Sequence, residues 1–255
     1  MRTKSLYANQ MKTLSLLPIF LLSLISCSQD TTDTVMEQTD FVIERDGLAY
    51  KKFSNTPFTG KLTQYNANGQ LAVEMFYKNG KHEGAYVKYY ENGNLDTKGS
   101  LKNGKEEGEW VNYHENGQLA AEMFYKNGKH EGAYVKYYEN GNLDTKGSYS
   151  SGDKQGEWAK YHEDGQLLRK TSYGKAIGQY EQIYYYKNKQ IMNMGSYKGY
   201  KEEGAWFSYH PNGQLEDKGN YKNGKKEGEW VEYYEDGNVN QYFTGLFKNG
   251  KKVNN

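Results

Sequence analysis

The sequence predicts an all-β protein, an elongated antiparallel meander of repeated β-hairpins built from a 24-residue unit. Glycines recur every 24 residues from Gly60 to Gly156, and the series resumes at Gly204 and Gly228. Asn-Gly pairs separate short apolar runs at alternating intervals of 11 and 13 residues. Such pairs are a strong hairpin signal, because type I′ turns need positive φ at both central positions. Apolar residues alternate with a period of two, which excludes amphipathic helices.

The most exact duplication recurs at an interval of two units, 48 residues. Residues 68–86 return at 116–134 with a single change, Val73 to Ala121. One copy, at 174–190, departs from the pattern, because Lys189 stands where other copies have the turn glycine. The sequence therefore predicts a bulge or a distorted turn in that copy.

The hairpin register predicts which residues face one another across the strands. If residues 92–93 form a two-residue turn, Tyr86 lies opposite Gly99. By the same reasoning Trp110 lies opposite Met123. Each tryptophan follows a glycine by eleven residues, so we expect every indole to lie over a glycine that has no side chain. The pairs are Gly99–Trp110, Gly147–Trp158, Gly195–Trp206 and Gly219–Trp230.

One face of the predicted sheet is therefore aromatic and apolar, and the other is mixed. The sequence offers no helix to cover the aromatic face. The sheet must curl on itself, stack on another copy, or present this face to a ligand. We take the large rings of this face as the candidate binding surface: Tyr86, Trp110, Tyr134, Trp158, Trp206 and Trp230.

The N-terminal region predicts export. The apolar run from Leu14 to Ile25 has the ~7–15-residue length of a signal peptide and is shorter than the ~20 residues of a membrane span. Met1 and Met11 are both compatible start sites. The single cysteine, Cys27, ends a Leu-Ile-Ser-Cys segment that resembles a bacterial lipobox, so we expect lipidation there. Accordingly, 1–26 is a signal peptide, 27–40 a flexible polar tether and 41–255 the repeat array.

Charge and motif patterns exclude several functions. The formal net charge is +1 with Lys and Glu interleaved, which argues against nucleic-acid binding. His114, His162 and His210 are four strands apart, about 19 Å, so they cannot share a zinc ion. The Glu-Gly pairs recur every second strand and are interpreted as charges that solubilise strand ends. We expect no catalytic residue, metal or cofactor, since every notable residue has copies. Tyrosine fills the histidine position in other units, at Tyr90, Tyr138 and Tyr234.

The units resemble bacterial MORN-type repeats, in the variant form found in proteins labelled YwqK-family antitoxins. The segments that carry the resemblance are EGAYVKYYENGNL (83–95), EGEWVNYHENGQL (107–119), EGAWFSYHPNGQL (203–215) and EGEWVEYYEDGNV (227–239). The resemblance extends over about 41–255 and implies a hairpin array used for binding or scaffolding, not catalysis.

Together these features predict a lipid-anchored protein of the cell envelope, at the outer membrane and facing either the periplasm or the surface. Its aromatic face would bind a protein, a glycan or another envelope partner. The alternative is an antitoxin-like protein that binds and neutralises a toxin. An intracellular antitoxin would lack the signal peptide and lipobox, so location separates the two readings. A glycan hydrolase would need a unique carboxylate pair at ~5–9.5 Å, and no unique pair is evident.

Overall fold

Strands and tight turns make up the fold of this protein in a computed structural model, which describes residues 36–38, 42–174 and 178–253. These residues belong to one compact unit, Thr34–Asn255. The predicted signal peptide, Cys27 and most of the predicted tether lie outside the described residues.

The described residues form twenty strands. They are β1 (Met36–Gln38), β2 (Val42–Arg45), β3 (Leu48–Lys51), β4 (Gly60–Tyr65), β5 (Leu71–Lys78), β6 (Lys81–Tyr89), β7 (Leu95–Lys102), β8 (Lys105–Tyr113), β9 (Leu119–Lys126), β10 (Lys129–Tyr137), β11 (Leu143–Ser150), β12 (Asp153–Tyr161), β13 (Leu167–Tyr173), β14 (Gln179–Tyr185), β15 (Ile191–Lys198), β16 (Lys201–Tyr209), β17 (Leu215–Lys222), β18 (Lys225–Glu232), β19 (Gly245–Lys248) and β20 (Lys251–Lys252).

The strands pair as a long antiparallel meander. From β4 to β20 each strand pairs with the next in chain order. Strand β1 adds to the first edge in parallel with β4. Strands β2 and β3 form a separate hairpin. The described part of the chain contains no helix, and the predicted all-β meander is confirmed.

The Lys-Asn-Gly-Lys turns have the predicted two-residue geometry. In the first of them Asn79 and Gly80 have φ of 51° and 78°, and Lys78 pairs directly with Lys81. Positive φ at both central positions defines a type I′ turn, whose twist matches that of the flanking strands. The same pair of positive angles recurs in later copies, for example at Asn103 and Gly104.

The other class of Asn-Gly turn differs from the prediction. At residues 90–94, the Gly93 N–H donates to the Tyr90 carbonyl and the Tyr90 N–H donates to the Asn94 carbonyl. Of the 92–93 pair, only Gly93 has positive φ. The loop is therefore three residues long, not two. A bulge at Asp96 then shifts the register by one, and Tyr86 still pairs with Gly99.

The glycine that recurs every 24 residues occupies a second kind of bulge. Between β7 and β8 the register shifts after Lys98, so that Gly108 and its neighbours on β8 lie opposite Gly99 alone. Gly108 has φ of 77° there. A residue with a side chain adopts this angle only at a cost, which explains the repeated glycine.

The divergent copy keeps the turn at Lys189 and has no bulge between β13 and β14, so the prediction of a bulge is wrong. The prediction of an altered turn is confirmed, because five residues, 174–178, separate β13 from β14 where two separate the equivalent strands of other copies. Lys189 adopts φ of 69°, and its N–H donates to the Tyr186 carbonyl as glycine does in other copies. Along β13 and β14 the register is continuous, with Tyr180 opposite Tyr173. Tyr180 stands where other copies have the bulge glycine, and a tyrosine does not favour the positive φ that this bulge needs.

The hairpin β2–β3 caps the first strands of the array. The Ala49 N–H donates to the Gly80 carbonyl, and the Phe58 N–H donates to the Ala49 carbonyl. Ala49, Phe58, Leu62 and Met75 form a buried cluster beneath this hairpin. A terminal cap of this kind covers apolar surface that a repeat unit would otherwise expose.

Candidate functional site: an aromatic ladder on one face

Each of the four tryptophans lies over a glycine, as the sequence predicts. A Cβ atom added to Gly99 would overlap ring carbons of Trp110, and the same holds at the three other pairs. The predicted register is also confirmed, because Tyr86 pairs with Gly99 and Trp110 pairs with Met123. The indoles therefore lie flat against the sheet, in spaces that glycine leaves open.

The rings of this face form a continuous ladder from Tyr86 to Trp230. The centroids of Tyr86 and Trp110 are 5.6 Å apart, and those of Tyr221 and Trp230 are 4.9 Å apart. Such separations lie within the ~4.5–7 Å at which aromatic pairs attract one another. The ladder runs through Tyr86, Trp110, Tyr125, His130, Tyr149, Trp158, Tyr173, Tyr180, Tyr197, Trp206, Tyr221 and Trp230.

The candidate binding residues differ in exposure. Trp158 and Trp230 are only 5% and 2% exposed, so they contribute to packing more than to a free surface. Four others, Tyr86, Trp110, Tyr134 and Trp206, are half-buried.

Lysine side chains account for this difference between the tryptophans. The Lys154 ammonium lies 4.3 Å from the ring centroid of Trp158, and that of Lys226 lies 4.0 Å from Trp230. These are cation–π contacts, and the lysine stems also cover the rings. At the equivalent positions beside Trp110 and Trp206 the chain has glutamates, Glu106 and Glu202. The two tryptophans beside glutamates are therefore the accessible ones.

Burial raises the pKa of several tyrosines of this face further above neutral pH. Desolvation is the main cause that raises the pKa of Tyr134, Tyr149 and Tyr221. For Tyr197, desolvation and then the nearby Tyr184 and Glu202 raise the pKa to about 12. At neutral pH the face therefore offers neutral phenols, which both donate and accept hydrogen bonds.

Two of the three histidines at the repeat position, His114 and His210, have the structural role that the sequence predicts. His114 Nε2 lies 3.0 Å from the Tyr137 carbonyl, and the equivalent Tyr90 hydroxyl donates to the Tyr113 carbonyl at 2.8 Å. Because a carbonyl only accepts, His114 carries its proton on Nε2. Histidine and tyrosine are thus interchangeable at this position, because each donates a hydrogen bond to the backbone carbonyl 23 residues later, in the next unit.

The Glu-Gly carboxylates have a role that sequence reasoning missed. Glu107 Oε2 accepts a hydrogen bond of 2.8 Å from the Asn127 N–H, and Glu83 Oε2 accepts one of 2.7 Å from the Asn103 N–H. Glu83, Glu107, Glu131 and Glu203 therefore cap the turn 20 residues later, and Glu227 caps the turn at Asn249, 22 residues later. The spacing of the two motifs, which is the same in the first four, could have suggested this contact. In the first unit Thr59 takes the same role toward Asn79.

The remaining histidines belong to the ladder and its cap. His130 stacks on Tyr149 at 4.7 Å, and its Nε2 lies 3.2 Å from the Tyr125 hydroxyl. Within the described ranges, no group of three or more His, Cys, Asp or Glu side chains is arranged to hold a metal ion. No helix in that part of the chain is long and apolar enough to span a membrane.

The fold and the ladder define a class, a tandem β-hairpin repeat protein whose strands present one repeated face. A family model for the MORN repeat variant matches seven segments, which together cover more than half of the chain. The chain belongs to this family. Its repeats support a binding or scaffolding role, and the family is generally non-catalytic. The matched segments are 58–79, 83–103, 106–127, 131–151, 154–175, 202–223 and 226–244, so all but the first two residues of the divergent copy fall between two matches.

No curated protein matches the chain. Among solved structures, similarity is found to the TcdB2-TccC3-Cdc42 crystal structure, with 12% identity, 72% of this chain covered, 12% of that chain and a TM-score of 0.21. The Photorhabdus luminescens Tc holotoxin pore matches with 12% identity, coverages of 78% and 14%, and a TM-score of 0.19. A GtfA/B complex bound to UDP and GlcNAc matches with 14% identity, coverages of 63% and 29%, and a TM-score of 0.15. The chain thus spans a small part of each of these proteins.

Proposed function

We propose that this protein is a non-catalytic, lipid-anchored envelope protein whose aromatic ladder binds a partner of the cell envelope. The observation that carries the proposal is the continuous run of rings on one face, with Trp110 and Trp206 left accessible. Accessible aromatic side chains are frequent anchors of binding interfaces. A repeated face also suits an extended ligand, because successive units offer successive contacts.

The anchor is proposed from the sequence alone, at Cys27 and the preceding apolar run. A single acyl chain binds a membrane only marginally, and full lipoprotein processing would add more than one. Cells that express the wild type or Cys27→Ser are labelled with a fatty acid and then fractionated. We expect label and membrane association in the wild type and neither in the variant. Label retained by Cys27→Ser would refute the anchor.

The binding face is tested separately, by crosslinking in intact envelopes and comparison of variants. Trp110→Ala and Trp206→Ala should each weaken partner capture. Phe124→Ala is the matched control. Phe124 is 46% exposed and pairs with Glu109, one residue before Trp110, so it lies on the opposite face of the sheet from the ladder. Equal capture by all three variants and the wild type would remove the ladder as the binding face.

A further inference from the structure

The divergent copy interrupts the row of indoles with a polar pair. Trp158 pairs with Thr171, and Gln182 pairs with both Thr171 and Gly195, so Gln182 takes the place of a tryptophan. Gln182 and Thr171 are buried, and the amide donates to the Thr171 hydroxyl at 3.3 Å. An amide therefore stands where units on either side have the ring of a tryptophan or a tyrosine. The ladder therefore has one polar step that is not repeated elsewhere.

Two cations flank this step. Arg169 donates to the Tyr184 hydroxyl at 3.1 Å, and its guanidinium lies 5.5 Å from the ring centroid of Tyr184. The Lys154 ammonium lies 5.9 Å from the Tyr173 ring, in addition to its contact with Trp158. Within the described residues neither cation forms an ion pair. Arg169 is also the only arginine in the array after Arg45.

The same copies have lost acidic residues. The position before the bulge glycine is glutamate in five units, and in two consecutive units it is Gln155 and Gln179 instead. Both glutamines alternate with ladder residues along their strands and so lie off the ladder face, where Asp153 also replaces a lysine of other copies. On the ladder face the charged groups near the polar step are Arg169 and Lys154, with Glu202 opposite Tyr197. Two cations outnumber the one carboxylate, and neither cation is paired with it in the described residues, so this part of the face is complementary to an anion. The glutamate-bearing units are Glu83, Glu107, Glu131, Glu203 and Glu227.

Partly exposed tyrosines border the polar step. Tyr173 and Tyr180 are 5.6 Å apart, and Tyr180 stacks on Tyr197 at 5.1 Å and 12°. Tyr200 is 90% exposed and has φ of 66°, in the second position of a turn where other copies have glycine. An exposed aromatic residue in the left-handed region is strained, and such strain often marks functional sites. Flat rings and phenol hydroxyls can contact the apolar faces and hydroxyls of sugars.

We propose that the divergent copy is a binding site for an acidic carbohydrate. Arg169 and Lys154 would pair with the carboxylate, phosphate or sulfate group, and Tyr180, Tyr197 and Tyr200 would hold the sugar rings. The inference rests on the proposed role as a binding surface and names the position and chemistry of one ligand. The pKa of Lys154 is lowered by desolvation and then by the charge of Arg169. A bound anion would reverse part of that effect.

The test measures binding of the purified full chain to a panel of acidic oligosaccharides, with neutral oligosaccharides and polyglutamate as comparators. The panel carries uronate, phosphate and sulfate groups. We expect acidic oligosaccharides to bind best, and Arg169→Gln to weaken that binding at least tenfold. Lys226→Gln is the matched control, because Lys226 makes the same contact with Trp230 but has no arginine beside it in the ladder. Its binding should stay within twofold of the wild type.

Tyr200→Gly separates an effect on binding from an effect on stability. Glycine relieves the positive φ, so this variant should unfold at the same or a higher temperature and yet bind the acidic oligosaccharide more weakly. Equal binding to acidic and neutral sugars, equal binding to polyglutamate, or unchanged binding in Arg169→Gln would each overturn the proposal. None of these substitutions should change fatty-acid labelling at Cys27 or membrane association. Failure of the carbohydrate site can therefore be distinguished from failure of the proposed lipid anchor.

Discussion

Gly99 lies directly beneath the indole of Trp110, so closely that a Cβ atom at residue 99 would overlap the ring carbons. The same relationship holds at all four tryptophans. The absence of a side chain at one residue therefore sets the position of a ring on the neighbouring strand. The stability of the array should depend on this space.

Gly99→Val should destabilise the protein by about 1–3 kcal/mol, the usual cost of overpacking a closely fitted site. The matched control is Gly174→Ala. Gly174 has no positive φ, and among the described residues a Cβ there would meet only the Gln179 carbonyl oxygen, at 4.0 Å. Chemical unfolding of both variants checks the prediction. An unchanged midpoint for Gly99→Val would mean that the indole moves aside freely.

Trp230→Ala should lower the free energy of unfolding more than Trp110→Ala does, because Trp230 is buried and Trp110 is only half-buried. Trp230 is 2% exposed and lies under Lys226, so its loss should cost about 3–5 kcal/mol. Trp110 is half-buried, and we expect a cost of roughly 1–2 kcal/mol. Thermal unfolding of the two proteins decides this. Similar losses in both would show that the lysine cover does not matter to the ring beneath it.

Removal of residues 100–147 should leave a shorter, folded protein. The deletion joins Gly99 to Ser148 and therefore keeps the register, because Gly147 and Gly99 are equivalent. Each unit contacts mainly its neighbours, so the remaining units should still unfold cooperatively. A deletion of 100–141, which breaks the repeat, is the control and should fail to fold. Loss of the cooperative transition in the first deletion would argue for a domain that cannot be shortened.

Stability should fall as the pH is lowered from about 7.5 toward 5.5, through the ~6.5 pKa of histidine in an unfolded chain. Desolvation is the main cause that lowers the pKa of His82 and His130, with Glu44 and Glu106 opposing it. The unfolded chain therefore takes up protons first, which favours unfolding below ~6.5. Above that pH both histidines are neutral in either state, and the full stability is present.

The double variant His82→Phe/His130→Phe should flatten this dependence. Phenylalanine keeps a ring against Tyr77 and Tyr125 and binds no proton. Unfolding midpoints of both proteins across the pH range provide the measurement. If the variant loses as much stability as the wild type between pH 7.5 and 5.5, other groups are responsible.

Much of the fold follows from local chemistry that a single sequence displays. Asn79-Gly80 between alternating apolar runs specifies a type I′ turn, because few other residue pairs accept positive φ twice. Once such turns are in place, the period of two assigns every residue to a face. The order of the strands and the Gly99–Trp110 pairing were predictable for this reason.

Other features depend on residues that are distant in sequence. A two-residue turn at 92–93 and a three-residue loop followed by a bulge at Asp96 produce the same register farther along the strands. The pairing of Tyr86 with Gly99 therefore could not distinguish them. The Glu107 carboxylate finds its partner 20 residues later, at Asn127, only because the strands between them bring the two turns side by side.

The sequence by itself determined the repeat, the hairpins and the composition of each face, since backbone preferences and side-chain alternation act over a few residues. Only the tertiary structure decided which rings of that face stay accessible. Trp158 and Trp230 are covered by lysines, whereas Trp110 and Trp206 have glutamates at that position. Exposure is a property of the assembled neighbours, because a ring is removed from water only when side chains from adjacent strands lie against it.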